Sequence, residues 1–441
     1  MNLIGLNCSI IRTNFLFKCS SHFTYIKCYN KDMTDFVTNN LYLYEADAFC
    51  GSVVYYEGEY HVFYIASNQT CIRHYHGESL LSLIKADDIV SKSKKISHLC
   101  SYVKSGILYI LFSLEGKNKV KIAKSKDWNS FELDEVEINK SQGFNAFKIV
   151  QSQDSMYLMT SEKRNGKNIS IYVSNNPYIW DFIGQALDDN NIEINSPSII
   201  GVNDYQYLIY ESNGTIYAQK GVFNKETCKF NKIEDPCYLN RGYNPKAYVL
   251  SNGKIVLISD FNGNIIIQEL GALGGLTLNP NFERLKNLHA KSFDDKFVEK
   301  GAKLLENYKK ESEYEFDIEL LENTNFVLKI KESIIKHIYV AYDNAYGNVV
   351  FSSVALNDDL KQRTKNIGIL NSVKVKIIFS NNIGQVYINE GVASFTFNAE
   401  GFIPDCVEFS CSEKTLVKIN RYDIMQDLGL DDDENIYSNL F

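Results

Sequence analysis

The amino-acid sequence predicts an all-β protein in which a five-bladed β-propeller is followed by a β-sandwich. Three observations support this prediction: a repeat of about fifty residues that occurs five times, several short strand patterns within each repeat, and a second series of alternating strands that starts near residue 312. A chain of 441 residues, 45% hydrophobic and 13% aromatic, is long enough for two domains of this kind.

The repeat consists of a turn followed by an alternating aromatic and aliphatic run, and its clearest copy is Tyr60-His61-Val62-Phe63 after Gly58. The five copies begin at Tyr60, Leu108, Met156, Gln206 and Ile255. The steps between these starts are therefore 48, 48, 50 and 49 residues. A small sheet cannot bury both of its faces alone, so units of this period stack as propeller blades. Five copies predict five blades, with each run forming an inner strand.

The remaining elements follow the same order along the chain. A further strand follows most inner strands after a Gly or Asn turn, and Trp128 and Trp180 restart outer strands, where packing between blades is the expected role of their rings. Between the two domains, Phe293, Phe297 and Leu304 have helical spacing and predict a short linker helix. The predicted segments are an N-terminal extension without clear structure (1–34), the propeller (35–282), the helical linker (283–311), the sandwich (312–425) and an acidic tail (426–441).

Composition excludes several classes of partner. The net charge is −8 and lysines and arginines are scattered, so we expect no nucleic-acid partner. No apolar run is long enough for a membrane span, so we expect no membrane partner. The ten cysteines form no Cys-x-x-Cys pair, and His74 and His76 lack a third ligand, so we predict reduced thiols, a cytoplasmic location, no metal and no cofactor. The oligomeric state cannot be predicted.

Six segments in the expected order resemble the family 32 glycoside hydrolases, which include invertases, levanases and inulinases. They are 55–64, 98–112, 144–160, 195–197, 243–246 with 276–280, and 379–397. The segment 55–64 is similar to the first-blade strand of that family, and Tyr243-Asn244-Pro245-Lys246 is similar to its Tyr-Ala-Pro-Gln. The resemblance implies a five-bladed propeller with a β-sandwich, and a sugar site at the mouth of the propeller that contains three carboxylates.

The carboxylates that the resemblance implies are replaced in this sequence. The position of the family's Arg-Asp-Pro reads Phe144-Asn145-Ala146, and that of Glu-Cys-Pro reads Asn195-Ser196-Pro197. An amide cannot protonate a leaving group, although it can still hydrogen-bond sugar hydroxyls. The implied nucleophile would fall near Phe49 or Cys50, and the nearest acid is Asp47.

These substitutions favour a carbohydrate-binding protein with impaired or lost hydrolysis. The expected sugar contacts are Phe49, Tyr56, Phe144, Asn145, Asn195 and Lys246, alongside Asp47. An alternative is an active glycosidase or glycosyl transferase whose acids are displaced by two residues to Asp47 and Glu193, because a shift of two keeps the same face of a strand. A further alternative is a propeller scaffold that binds a protein partner.

Overall fold

A computed structural model describes residues 41–43, 48–80, 83–90, 95–115, 120–139, 144–151, 155–162, 168–188, 193–202, 205–271, 277–279, 289–306, 312–320, 324–356, 362–380 and 383–424. The chain divides into two compact units, the first ending at Leu270 and the second continuing from Gly271, whereas the sequence predicted the division after residue 282. The predicted N-terminal extension (1–34) and acidic tail (426–441) lie outside the described residues. No helix in the described ranges is both long and apolar enough to cross a membrane.

The first unit is a five-bladed propeller. Within each blade the strands of one repeat pair antiparallel, the outer strands of blades 2 and 3 also pair with each other in parallel, and a short strand at 41–43 joins the last blade. The strands are β1 (Leu41–Leu43); in blade 1, β2 (Phe49–Tyr56), β3 (Glu59–Ile65), β4 (Cys71–Gly77), β5 (Ile84–Lys85) and β6 (Ile89–Val90); in blade 2, β7 (Ile96–Lys104), β8 (Ile107–Leu114), β9 (Val120–Ser125) and β10 (Glu132–Asn139); in blade 3, β11 (Phe144–Gln151), β12 (Met156–Glu162), β13 (Asn168–Asn176) and β14 (Ile179–Asp188); in blade 4, β15 (Asn195–Val202), β16 (Tyr205–Ser212), β17 (Thr215–Asn224), β18 (Lys229–Lys232) and β19 (Cys237–Arg241); and in blade 5, β20 (Tyr243–Val249), β21 (Ile255–Phe261) and β22 (Asn264–Gly271).

The first strands of the five blades, β2, β7, β11, β15 and β20, contact one another in a closed ring around the axis. The ring is completed because β1 pairs with β22, with Leu41 opposite Ile267, so that a strand from the beginning of the chain becomes part of the last blade. This closure leaves the propeller without an open end between its first and last blades. The predicted fold of this unit is thus confirmed.

The repeated runs are the second strands of the blades, so their prediction as inner strands is wrong. Tyr60 lies in β3 and Leu108 in β8, and in each blade the strand before the run lines the axis. The second strand of a blade has a strand on each side, and the second strand of blade 1, β3, is almost wholly buried. Such a strand requires hydrophobic residues along its whole length, which makes its sequence pattern regular. The inner strands border the channel and tolerate polar residues, and their pattern is therefore less regular.

Hydrogen bonds between neighbouring blades follow the period of the sequence. Ser52 Oγ accepts a bond of 2.8 Å from the Ser101 N–H, and Ser198 Oγ accepts one of 3.3 Å from the Ala247 N–H, each between residues 49 positions apart. Apolar side chains fill the space between blades. Trp180 is fully buried between blades 2 and 3, and Trp128 packs between blades 1 and 2, which confirms packing as the role of both rings.

The second unit is a β-sandwich. The unit contains the short strand β23 (Thr277–Asn279), and the strands of the sandwich are β24 (His289–Glu306), β25 (Ser312–Leu320), β26 (Phe326–Lys331), β27 (His337–Asp343), β28 (Asn348–Val354), β29 (Gln362–Asn366), β30 (Ser372–Ser380), β31 (Ile383–Ile388), β32 (Ala393–Asn398) and β33 (Cys406–Ile424), with a 3₁₀ turn at Asn389–Gly391. The first half of β33 pairs with β26 and its second half with β25, so one long strand joins two layers. Phe351 of β28 packs on Phe395 and Phe397 of β32, with ring centroids 5.4 and 5.2 Å apart, which brings the layers face to face.

The predicted linker helix over 283–311 is wrong for residues 289–306, which form β24 and pair along their length with β33. The cause is an ambiguity of spacing. Residues four apart, such as Phe293 and Phe297, lie on the same face of a helix and also on the same face of a strand. Only the presence of an antiparallel partner strand, supplied from the end of the chain, decides between them.

Candidate functional site

The inner strands share an irregularity where they begin. The register with the second strand shifts within the first residues of every blade, as a β-bulge does. The shifts lie between Phe49 and Ser52, Ile96 and His98, Phe144 and Phe147, Asn195 and Ser198, and Tyr243 and Lys246. Bulges turn side chains away from the regular alternation. We call this end of the channel the mouth.

Three bulge residues have a backbone conformation that is unusual for residues other than glycine. Cys50, Ser196 and Asn244 have φ values of 55°, 50° and 48°, and they occupy equivalent positions in blades 1, 4 and 5. For Cys and Ser this left-handed conformation costs roughly 1–2 kcal/mol each. Backbone strain that surrounding contacts maintain is concentrated at functional sites. The mouth is therefore the place where a site is expected.

A hydrogen-bond network joins these three residues across blades 4, 5 and 1. The Asn244 Nδ2 group donates to Asp260 Oδ2 at 2.6 Å, and the Cys50 N–H donates to Asp260 Oδ1 at 2.8 Å. Ser196 Oγ donates to Asn244 Oδ1 at 3.4 Å. Together with Lys246, these residues form what we call the mouth network. Both carboxylate oxygens of Asp260 are thus bonded to protein groups.

Lys246 completes the network from blade 5. Its side chain is buried, and Nζ lies 3.0 Å from Cys50 Sγ and 3.1 Å from the Gly51 carbonyl oxygen. Lys246 directly follows the bulge of β20 and is the first residue at which the regular register with β21 resumes. The ammonium is held against blade 1 and links the last blade to the first.

Burial controls the protonation of the mouth network. It raises the pKa of Asp260 to about 6, although the Asn244 amide and the Cys50 N–H oppose the shift. It also raises the pKa of the Cys50 thiol, and the nearby Lys246 ammonium opposes this shift without reversing it. A thiol with a raised pKa is protonated at neutral pH and is a poor nucleophile. Cys50 is therefore unsuited to replace a catalytic carboxylate.

Blade 4 contributes a second group of polar residues. The Asn195 Nδ2 group donates to Glu193 Oε1 at 3.3 Å, and Glu193 is exposed. Glu211 lies opposite Asn195 on the second strand, is buried, and accepts a bond of 2.7 Å from the Gly214 N–H. Burial raises the pKa of Glu211, while the Gly214 N–H and the Asn195 amide oppose the shift. Asn195 therefore lies between two acids, one exposed and one buried.

Sequence reasoning missed Glu211 and Asp260, although the repeat contained a signal for them. The two acids are 49 residues apart, and each lies on a second strand opposite the first residue of an inner strand. Glu162 has the same offset in blade 3, opposite Phe144. The sequence signal for these residues is therefore an acid that recurs at the same position of successive repeats. The resemblance implies acids on the inner strands, whereas Glu211 and Asp260 lie on second strands.

The predicted site residues are distributed unevenly. Asp47 lies outside the described residues, and Phe144 and Asn145 begin β11 while their side chains lie outside the description. The structure brings Glu193 together with Asn195, and it places Lys246 in the mouth network.

The two predicted aromatic platforms of blade 1 are separated. Phe49 is half-buried and packs on the apolar cluster between blades 1 and 2. Tyr56 ends the same strand, roughly 23 Å away at the usual rise per residue. It stacks on Trp128 with ring centroids 4.7 Å apart and lines a separate cavity of about 600 Å³. Phe49 and Tyr56 therefore cannot contact one small sugar together.

No group of three or more His, Cys, Asp or Glu side chains within the described ranges is arranged to hold a metal ion. His74, considered above as a weak ligand candidate, is buried, and its Nε2 lies 3.0 Å from Nδ1 of His61. Burial lowers the pKa of His74 to about 3 and that of His61 to about 4, so both rings are neutral at physiological pH. The described cysteines form no disulfide.

Comparison with known proteins identifies the fold. No protein-family model and no curated protein sequence matches the chain. Among solved structures, sucrose-6-phosphate hydrolase from Lactobacillus gasseri matches with a TM-score of 0.72 and 14% identity over 96% of this chain and 97% of that one. Exo-inulinase from Aspergillus awamori matches with a TM-score of 0.71 and 12% identity over 90% of this chain and 98% of that one. The GH32 β-fructofuranosidase from Bombyx mori matches with a TM-score of 0.64 and 17% identity over 87% of this chain and 91% of that one. The chain thus has the propeller-and-sandwich fold of the family 32 glycoside hydrolases.

Proposed function

We propose that this protein binds a carbohydrate at the mouth of the propeller and that its capacity for hydrolysis is impaired or lost. One observation carries the proposal: the bulges of blades 1, 4 and 5 contain the thiol of Cys50, the amides of Asn195 and Asn244 and the hydroxyl of Ser196, and the buried acids Asp260 and Glu211 on the second strands are already hydrogen-bonded within the protein. Amides and hydroxyls bind sugar hydroxyls without charge, and Asn195, Ser196 and Asn244 provide such groups at adjacent blades.

The same observation argues against efficient cleavage. Retaining glycosidases use two carboxyl groups about 5–5.5 Å apart, one as nucleophile and one as acid. The two carboxylate oxygens of Asp260 accept hydrogen bonds from the Asn244 Nδ2 group and the Cys50 N–H, and Glu211 accepts one from the Gly214 N–H. Acids that are fixed by such bonds contribute to the shape of the mouth. We therefore assign them a structural role.

The solved structures with this fold support a sugar as the ligand. The β-fructofuranosidase from Schwanniomyces occidentalis has been solved with fructosyl-erythritol, and fructan 1-exohydrolase from Cichorium intybus with 1-kestose. A fructoside is accordingly the first ligand to test. The ligand class is transferred by likeness of fold, and the residues of the mouth network supply the chemical compatibility.

A second candidate function, an active glycosidase with displaced acids, is favoured by Glu193. This carboxylate is exposed and lies within hydrogen-bond distance of Asn195, the residue at the position of the family's acid. It could protonate a leaving group if a second carboxylate, for which the sequence offers Asp47, lay opposite. In this alternative Glu193 is the general acid and Asp47 the nucleophile.

Binding and turnover should be measured on the same preparation. We expect saturable binding of sucrose, 1-kestose or inulin by calorimetry, with no release of reducing sugar over days. Asn195→Ala should weaken binding about tenfold, since a lost hydrogen bond in a sugar site costs about 1 kcal/mol or more. Lys126→Met, which changes an exposed residue in blade 2, is the matched control and should bind normally.

The two candidates give opposite results in a turnover assay. Release of fructose by the natural sequence that disappears in Glu193→Gln would establish the displaced-acid enzyme. Absence of turnover, together with saturable binding that Asn195→Ala weakens, would support the binding protein. Absence of both binding and turnover for all fructosides would exclude the proposal. A cytoplasmic location remains a prediction from the sequence.

A further inference from the structure

The other end of the propeller axis holds a cavity of about 490 Å³, lined by the second halves of the inner strands of all five blades. It is distinct from the mouth network, which lies where these strands begin. Its walls are mainly apolar, with residues such as Val53, Ile149 and Ile199. Gln151 and Ser251 also line it and are exposed, so the cavity is open to solvent at this end.

The cavity contains a buried cation without a counterion. Lys148 is 6% exposed, and its Nζ lies 3.1 Å from the centroid of the Tyr248 ring. Within the described part of the chain, Nζ forms no hydrogen bond and no ion pair, and none of the residues that line the cavity is acidic. Burial lowers the pKa of Lys148 to about 7. A buried charge without a partner is costly, and a bound anion would remove that cost.

A second donor in the same cavity is also unsatisfied. Tyr102 is 5% exposed and lines the cavity, and its buried hydroxyl has no hydrogen-bond partner among the described residues. The hydroxyls of Ser52, Ser101 and Tyr248, by contrast, are hydrogen-bonded to one another. Ser52 Oγ lies 2.7 Å from Ser101 Oγ and 2.5 Å from the Tyr248 hydroxyl. Buried polar groups are normally bonded, so an unbonded hydroxyl and an unpaired ammonium on the lining of one cavity indicate a missing acceptor.

We propose that this cavity, which we call the axial cavity, binds a small aliphatic carboxylate, with Lys148 and Tyr102 as donors to its oxygens and the apolar walls around its hydrocarbon part. The single positive charge matches a monoanion, whereas inorganic phosphate near neutral pH carries more negative charge and needs more donors than the described lining supplies. The carboxylate site is independent of sugar binding at the mouth, so either proposal can fail without the other.

The test is titration of the full chain with sodium propionate at constant ionic strength near pH 6.5. Sodium phosphate, sodium chloride and neutral propanamide serve as comparison ligands. We expect saturable binding of propionate with one site per chain, and at least tenfold weaker binding of the other three. Lys148→Met should abolish propionate binding, and Tyr102→Phe should weaken it about tenfold, since a hydrogen bond to a charged group is worth about 1.5–3 kcal/mol.

Matched controls separate this site from general effects of charge. Lys126→Met removes an exposed lysine of blade 2 and should leave propionate binding unchanged. Since the Tyr102 hydroxyl has no hydrogen-bond partner in the described part of the chain, Tyr102→Phe should fold normally and keeps the proposal testable even if Lys148→Met does not fold. Equal binding of propanamide or tighter binding of phosphate would overturn the assignment, as would full propionate affinity in Tyr102→Phe or no saturable binding at all.

Discussion

The two ends of the propeller axis are built by the same five strands and differ in how their polar groups are satisfied. At the mouth, the strands begin with bulges, and polar side chains bond to one another: Asn244 and the Cys50 N–H to Asp260, and Lys246 to Cys50. At the axial cavity the register is regular, the walls are mainly apolar, and Lys148 and Tyr102 have no acceptor among the residues that the structure describes.

This difference shows that polarity alone does not indicate the ligand. A network in which donors and acceptors already match is suited to a neutral ligand that exchanges hydrogen bonds with it, such as a sugar. Donors that have no acceptor are suited to an anion. The mouth was expected from the sequence because its residues lie at positions with a family resemblance, whereas the axial cavity has no sequence motif.

The largest loss of stability is expected from a substitution of Asp260, the acid of the mouth network. Asp260→Ala would leave the Asn244 amide and the Cys50 N–H without their common buried acceptor, and removal of one partner from a buried charged group typically costs about 3–5 kcal/mol. Both tryptophans of the chain lie in propeller blades, so urea unfolding followed by tryptophan fluorescence reports on this unit. A loss below about 1 kcal/mol would show that the mouth network is not a stabilising unit.

At the axial cavity, Lys148→Met should instead raise the free energy of unfolding of the propeller by a few kcal/mol, because it removes a buried ammonium that has no counterion among the described residues. The pKa of Lys148 is about 7 in the folded chain and about 10.4 in the unfolded chain. The unfolded state therefore binds more protons between these values, and the natural protein should gain stability as pH rises from 7 to 10.

The advantage of Lys148→Met should accordingly be largest below pH 7 and shrink as pH rises toward 10. Thermal melting from pH 6 to pH 10 measures this. Lys126→Met, which changes an exposed residue, should parallel the natural protein at every pH. An advantage that does not depend on pH would show that Lys148 contributes through packing instead of charge.

The mouth should respond in a separate, acidic pH range. The pKa of Asp260 is raised to about 6, so its contribution is fully present below about pH 3.9, the unfolded value, and is lost as pH rises through 6. Asn244→Gly removes one donor to Asp260 but keeps the left-handed backbone that Asn244 adopts. It should cost about 1–2 kcal/mol at pH 7 and move the decline in stability to higher pH. An unchanged midpoint would contradict the assigned contact.

The smallest effects come from a matched pair of tyrosines at the axial cavity. Tyr248→Phe removes a hydroxyl bonded to Ser52 and should cost about 1 kcal/mol. Tyr102→Phe removes a hydroxyl that no described residue bonds, and it should change the free energy of unfolding by less than about 0.5 kcal/mol. Urea unfolding of the two variants in the absence of carboxylates makes the comparison, and equal losses would mean that Tyr102 has an acceptor in the free protein.

The sequence by itself determined the architecture, because the period of 48 to 50 residues and the alternation after residue 312 are local patterns that each blade and strand expresses alone. The replacement of the implied acids by Asn145 and Asn195 stays a prediction from the resemblance. It could not distinguish strand from helix over 289–306, where spacing of four satisfies both and a partner strand from 406–424 decides.

Only the tertiary structure decided which residues meet. Asp260 bonds to Cys50 from 210 positions away, and Lys148 reaches the Tyr248 ring from a different blade. Closing the ring of blades sets these contacts, and burial in the closed ring shifts the pKa values of Asp260 and Lys148 toward the neutral range. Such shifts depend on neighbours distant in sequence, since desolvation is a property of the packed site and not of the residue.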